Sequence, residues 1–285
     1  MKLISEKGVQ RILLGTAFSA ISALLLIALF ILSEGLPFIF KYGIKDFLFS
    51  SEWQPQANKF GIFPMITASI WVTLGAMLVG APLGVAGALF LSEYANKTVM
   101  KIIKPTIELL AAIPSGVYGF IGVIVLAPII REYLGGPGLS LLAGSIVLGI
   151  MILPTIISIS IDSIMAVPNS YREGSLALGA TTWQTIHMVT IKAAKSGIIA
   201  SIILGLGRAI GETMAVIMVA GNSVNIPNSA LDSVRTLTAN IALEMSYATG
   251  MHRQALFATG VVLFVIIIIL NSIASVAIRK RTIKK

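Results

Sequence analysis

The chain has 285 residues, 56% of them apolar and only 12% charged, with a mean hydropathy of +0.93. A soluble domain carries about 25% charged residues, so this composition excludes a water-facing surface over most of the molecule. Cysteine is absent and histidine occurs only as His187 and His252, which excludes a disulfide framework, a thiolate metal site and a cysteine nucleophile. Uncharged runs such as Ile12 to Ser33 and Ala255 to Ile278 reach the roughly 20 residues that a helix needs to cross a bilayer. The expected class is an all-α polytopic membrane protein.

Six transmembrane helices are predicted, at 12–32, 64–91, 106–130, 139–161, 195–220 and 256–278. With a cytoplasmic N-terminus, the inside segments hold fourteen Lys and Arg residues and the outside segments six. The excess of Lys and Arg flanking the spans on one side therefore places both termini in the cytoplasm. It also accounts for the net charge of +9 without a nucleic-acid partner. Lys2, Lys7 and Arg11 precede the first apolar run as they would in a secretory signal, but that run is longer than an h-region of about 7–15 residues and has no clear cleavage site. The chain thus divides into an N-terminus and anchor helix (1–33), an external loop (34–61), a core of five spans (62–278) and a basic tail (279–285). Gly80 with Gly84, and Gly207 with Gly211, form G-x-x-x-G pairs, a pattern that allows close helix approach in lipid.

Arg208 and Glu212 interrupt the fifth span. Each charge there costs at least about 2.5 kcal/mol. Their i, i+4 spacing puts both on one helix face, with Ser201 on the same side. One reading is a self-neutralising intrahelical salt bridge; the other is a path for an ion or substrate, in which the planar guanidinium suits phosphate, sulfate or carboxylate oxygens. Glu108, near Lys104 and Pro105, reads as a carboxylate in the first turn of the third span, with Pro105 as its first helical residue. Pro114 would leave the carbonyl of Leu110 without its helical donor and bend the span. Tyr118 reads as a packing residue.

The connection 162–195 reads as two short helices. Ser170-Tyr171-Arg172-Glu173 and Thr181-Thr182-Trp183-Gln184 both have the spacing of a capping box, and Gly179 suits the C′ position between them. Trp183, Ile186, His187, Thr190 and Ile191 would share one face of the second helix. Such an elbow either lies on the membrane surface or docks a cytosolic partner. His187 reads as an interfacial packing residue, because no Ser or Asp constellation accompanies it.

With these residues in view, the chain resembles the membrane subunits of ABC importers, and among them the phosphate permeases of the PstC type. The importer loop pattern is Glu-Ala-Ala, three residues, Gly, nine residues, Ile-x-Leu-Pro; Glu173 and Gly179 stand at that spacing, while Gly174-Ser175 replaces the alanines and Val189-Thr190-Ile191-Lys192 the last element. Leu91 to Ala95, Glu108 to Gly119 and Gly207 to Val216 are similar to the phosphate branch, and the likeness covers roughly residues 60–278. It implies a type I ABC importer permease fold and a path for inorganic phosphate at Arg208, Glu212 and Ser201. It further implies an ATPase-coupling surface at Glu173, Gly179, Ala180, Thr181 and Trp183. The implied partners are a PstA-like second permease subunit, two PstB-like ATPase subunits and an extracytoplasmic phosphate-binding protein. The chain has no Gly-x-x-x-x-Gly-Lys-[Ser/Thr] loop, so ATP is expected to be used by the partners, with no cofactor held by this chain and no enzyme activity of its own.

Overall fold

In the computed structural model, which describes residues 6–282 and the side chains of 8–273, six helical segments are long and apolar enough to cross a membrane. Lys2, Lys7 and the basic tail 279–285, which carried part of the orientation argument, lie outside the described side chains. The segments are Gly8–Tyr42, Phe63–Tyr94, Ser115–Tyr133, Leu141–Met165, Thr182–Gly211 and Gly250–Ile273. The first belongs to α1 (Glu6–Tyr42), which is followed by the short α2 (Ile44–Phe49). A two-stranded hairpin comes next, with β1 (Trp53–Gln54) paired antiparallel to β2 (Lys59–Phe60). Of the expected loop 34–61, residues 34–42 thus continue α1, and the remainder folds as a small cap. Phe47 and Phe60 are fully buried, Trp53 nearly so, and they pack with Phe38 and Tyr42 through edge-on and stacked ring pairs. Each buried ring contributes about 1.5–3 kcal/mol of apolar transfer. The same cluster includes Leu256, Ala258 and Val261 of α13 (Gly250–Thr282).

The centre of the bundle is α7 (Leu141–Met165), which packs against α3 (Phe63–Leu89) and α10 (Ile191–Gly211). Lipid tails give no apolar drive for helix association, so close contact must come from small residues. A Cβ on Gly80 would fall 2.6 Å from Ile152, and one on Gly84 2.7 Å from Ile156. Across the other face, a Cβ on Gly205 would fall 2.9 Å from Ile156. Gly80 and Gly84 thus form a true packing pair, whereas Gly207 and Gly211 have no atom within 4 Å of a Cβ position. The second G-x-x-x-G pair faces open space in this chain.

The first span runs on to Tyr42, ten residues past its expected end, and two others differ from their expected limits, each for a local reason. The third does not begin at 106: residues Lys97–Ala112 form a separate amphipathic helix, α4, started by Asn96, whose side chain accepts a hydrogen bond from Val99 N–H at 2.8 Å. Pro105 therefore lies inside α4 and is not a first helical residue. Ile107 of α4 is buried against α7, while Ile102 and Leu109 are exposed. Lys104 donates to Asp162 of α7 at 2.9 Å, and this hydrogen bond raises the Lys104 pKa above its ordinary value. At Pro114 the chain breaks rather than bends, because a residue before proline is driven to extended backbone, and Ile113 takes φ −63°, ψ 129°. The span restarts as α5 (Ser115–Ile121) and continues through a π-helical turn (Gly122–Leu126) into α6 (Ala127–Tyr133). The fifth span begins at Thr182 and ends at Gly211, and Glu212 is extended, with ψ 136°.

Substituting Gly84→Val is expected to destabilise the α3–α7 contact by about 1–3 kcal/mol through overpacking, and Gly207→Ala to leave stability unchanged. Thermal unfolding of the solubilised chain checks the pair. Ile156→Ala added to Gly84→Val should recover part of the loss, since the two side chains compete for one space.

Candidate functional site

The break after Gly211 separates the two membrane charges. Helical i, i+4 pairing needs both residues in one helix, and Glu212 lies outside it, so the intrahelical salt bridge of the first reading is absent: neither Arg208 nor Glu212 makes an ion pair among the described residues. Glu212 instead turns to the next helix, α11 (Met214–Val219), where its Oε1 accepts the N–H of Ala215 at 3.1 Å. Its backbone carbonyl accepts the hydroxyl of Thr238, in α12 (Leu237–Glu244), at 2.8 Å. Arg208 stays in the last turn of α10 and is half-buried. Its one hydrogen bond among the described residues runs from Nη1 to Thr155 Oγ1, in the middle of α7, at a long 3.4 Å. Ser201 shares the α7-facing side of α10 with Arg208, as its spacing requires, but is fully buried and hydrogen-bonded to Ser160 at 2.8 Å. That contact fastens two helices and faces no open space.

Beyond the break at Pro114, the carbonyl of Leu110 is satisfied in an unexpected way. It accepts the hydroxyl of Tyr118 at 2.8 Å, besides a longer bond from Ile113 N–H at 3.3 Å. Tyr118 is thus the replacement donor at the hinge between α4 and α5 and does more than pack. Glu108 lies exposed on α4, outside the membrane spans.

The connection between the fourth and fifth spans forms the expected elbow, with its second arm continuous with the fifth span. The first arm is α8 (Asn169–Ala177). Pro168 occupies its N-cap, so Ser170 falls inside the first turn and the first capping box does not form. Gly179, at φ +88°, ends α8 in a Schellman motif, with Gly179 N–H bonded to Leu176 C=O at 2.9 Å and Ala180 N–H to Ser175 C=O at 3.2 Å. Thr181 then caps α9 (Thr182–Thr185) in a complete box with Gln184, at 3.2 Å and 2.8 Å. Ser175 and Thr185 join the two arms through a hydroxyl–hydroxyl bond of 2.9 Å. A π-helical turn (Ile186–Thr190) leads from α9 into α10, and its extra residue splits the expected apolar face. Ile186 and Thr190 are buried, while Trp183 and His187 stack outward with ring centroids 5.9 Å apart. Trp183 is 65% and Leu178 91% exposed, and Glu173 is exposed as well.

One constellation escaped sequence reasoning. Arg172, beside Glu173, donates to Glu93 Oε1 at 2.7 Å, to Val167 C=O at 3.0 Å, to Ile164 C=O at 3.2 Å and to Asn169 Oδ1 at 3.4 Å. Glu93 sits in the π-helical turn Phe90–Tyr94 that ends the second span. Seventy-nine residues separate the pair, so no local spacing announces it. A second cluster gathers at the opposite end of the bundle: Glu244, 7% exposed, accepts from Arg235 at 2.7 Å and from Trp53 Nε1 at 2.9 Å, and bonds His252 at 2.8 Å.

The molecule is thus a bundle of membrane helices whose fifth span breaks just after Arg208 and whose connection between the fourth and fifth spans is a capped elbow with an apolar tip. Residues 80–284 match the model of the binding-protein-dependent transport system inner membrane component family, and the chain belongs to that family. It is similar to the probable ABC transporter permease protein YqgH of Bacillus subtilis, with 44% identity over 92% of this chain and 87% of the relative. It is also similar to the phosphate transport system permease protein PstC of Xylella fastidiosa, at 37% identity over 78% of this chain and 74% of the relative. A solved bacterial ABC transporter that imports the acidic polysaccharide alginate shares its fold, with a TM-score of 0.65, 17% identity and 98% and 99% of the two chains covered. The protein is accordingly a multi-pass membrane subunit of a transport system and not an enzyme.

Thr181→Ala is expected to cost about 0.5–2 kcal/mol of local stability by removing the cap. Hydrogen exchange at the amides of residues 183–185 should quicken, with the amides in the middle of α7 unaffected.

Proposed function

We propose that the chain is the PstC-type permease subunit of an ATP-driven phosphate importer of the cytoplasmic membrane. The observation that carries this reading is Arg208: a guanidinium with no ion pair among the described residues, at mid-depth beside Thr155, in a chain similar to proteins named phosphate permeases. A fixed cation with spare donors is what a phosphate needs along its way. Arg208 contacts the anion, and Glu212 shapes the path by holding the start of α11; Ser201 belongs to the helix contact and is left out of the path. Both termini and the elbow face the cytosol, where Lys and Arg are in excess. The core 62–278 forms the permease proper, behind an anchor at 1–33 and an external region at 34–61.

Two PstB-like ATPase subunits receive the elbows of this chain and of a PstA-like companion, through Glu173, Gly179, Ala180, Thr181 and Trp183. Gly179, Ala180 and Thr181 set the angle between the arms, and the exposed indole of Trp183 supplies apolar contact. An extracytoplasmic phosphate-binding protein delivers the ligand to the opposite end. ATP is consumed by the partners, and this chain holds no cofactor.

In vesicles containing the complete complex, Arg208→Ala should lower phosphate uptake by roughly 10- to 100-fold, as expected for losing a charge-assisted hydrogen bond of about 1.5–3 kcal/mol. Assembly should be intact; undiminished uptake would remove Arg208 from the path. Sulfate and molybdate in about 100-fold excess should leave phosphate uptake unchanged, and effective competition by either would reassign the substrate.

A further inference from the structure

The two arms of the elbow are joined by the Ser175–Thr185 bond, and among the described residues three connections attach the elbow to the membrane helices besides the apolar packing of Val167 with Ala88 and Leu91. Two are covalent. At its start, residues 166–168 lead directly from the end of α7, and at its end the π-helical turn Ile186–Thr190 leads into α10. The third is Arg172, whose guanidinium holds the carbonyls of Ile164, at the end of the fourth span, and of Val167, just beyond it, with Nη2 and Nη1, while Nη2 also bonds Glu93 of the second span. The Arg172–Glu93 pair is largely shielded, with side-chain exposures of 23% and 9%. A shielded, charge-assisted bond of 2.7 Å is stiff, and removing one partner leaves the other charge without compensation. Glu93 is set in a π-helical turn, a form that occurs at functional sites and alters helix register locally. Lys104–Asp162, the other ion pair at this end, joins α4 to α7 and touches neither arm of the elbow.

We infer that the Arg172–Glu93 pair is the link through which displacement of the elbow reaches the π-helical end of the second membrane helix, making Arg172 a positioning residue for transport. The inference rests on the coupling role proposed above and deepens it. A push on α8 moves α7 and α10 through the chain itself, but α3 only through side-chain contact. Without the pair, the body of the second span still follows α7, on which it packs, but its π-helical end, Phe90–Tyr94, is no longer held to the elbow, so ATP is spent with less phosphate carried. The guanidinium is required because one group must serve two carbonyls and a carboxylate in different directions, which an ammonium meets less well.

The test uses the complete reconstituted complex and reads phosphate transported per ATP hydrolysed. Arg172→Gln and Glu93→Gln should each lower that ratio about tenfold, with ATP hydrolysis changed by less than about twofold, and Arg172→Lys should give an intermediate value. The double variant Glu93→Gln with Arg172→Gln should be no worse than the poorer single variant, because one shared link cannot be lost twice. An unchanged ratio in Glu93→Gln, which keeps every bond from Arg172 to the fourth span, overturns the inference and leaves Arg172 as a helix cap. Failure of both single variants to assemble makes the pair a folding element and overturns it equally. Absence of phosphate transport by the wild-type complex would instead refute the proposed function.

Discussion

The structure depends on the close approach of two helices, α3 and α10, to α7. In lipid an apolar side chain gains little by touching another, so backbone proximity and side-chain fit have to hold the bundle. Gly80 and Gly84 on one side of α7 and Gly205 on the other admit Ile152 and Ile156. The same approach brings Ser201 to Ser160 and Arg208 to Thr155. The depth at which Arg208 sits is therefore set by the register of α10 on α7, not by any partner of its charge. Segments beyond the fifth span inherit this register as well. Backbone bonds run from Ser140 N–H to Val219, Leu141 N–H to Asp232 and Leu142 N–H to Ala230, fixing residues 219–232 over the start of α7.

Charge is spent at the two ends of this bundle in similar ways. At one end Glu244 joins β1, α13 and the approach to α12 through Trp53, His252 and Arg235. At the other, Arg172 joins the elbow to two spans. Both clusters are largely shielded, and both connect segments far apart in sequence. Small residues thus hold the middle of the molecule, and charged pairs hold its ends.

Much of the architecture was legible because its causes are local. Long uncharged runs gave six spans, Gly179 gave the turn between the two arms, and Thr181 with Gln184 gave a cap that forms as its spacing requires. The errors also have local causes. Asn96 started a helix where the apolar composition suggested loop followed by membrane. Pro168 displaced the cap from Ser170, and the π turn after Thr185 rotated the apolar face. The Arg208 and Glu212 spacing was real but its premise, an unbroken helix, failed one residue too soon. Glu93 with Arg172, and Glu244 with Trp53, had no signal in the sequence, since only the fold brings them together.

Separating Glu212 from Arg208 alters the electrostatic argument for the site. A closed pair would be net neutral and would oppose entry of a dianion unless charge came from elsewhere. With Glu212 turned to Ala215, the cost of Arg208 in the membrane, at least about 2.5 kcal/mol, is offset within the described chain only by one long bond to Thr155. Interior side chains do not hold a cation so poorly unless water or an anion reaches it. Such an arrangement favours a negatively charged occupant over a neutral one. On the proposed function, it favours an occupant that leaves again over one that stays, because a single guanidinium and one hydroxyl would hold a phosphate less firmly than a closed cage of donors. Weak and transient attraction is what the proposed path requires, which leaves tight capture to the proposed extracytoplasmic binding protein.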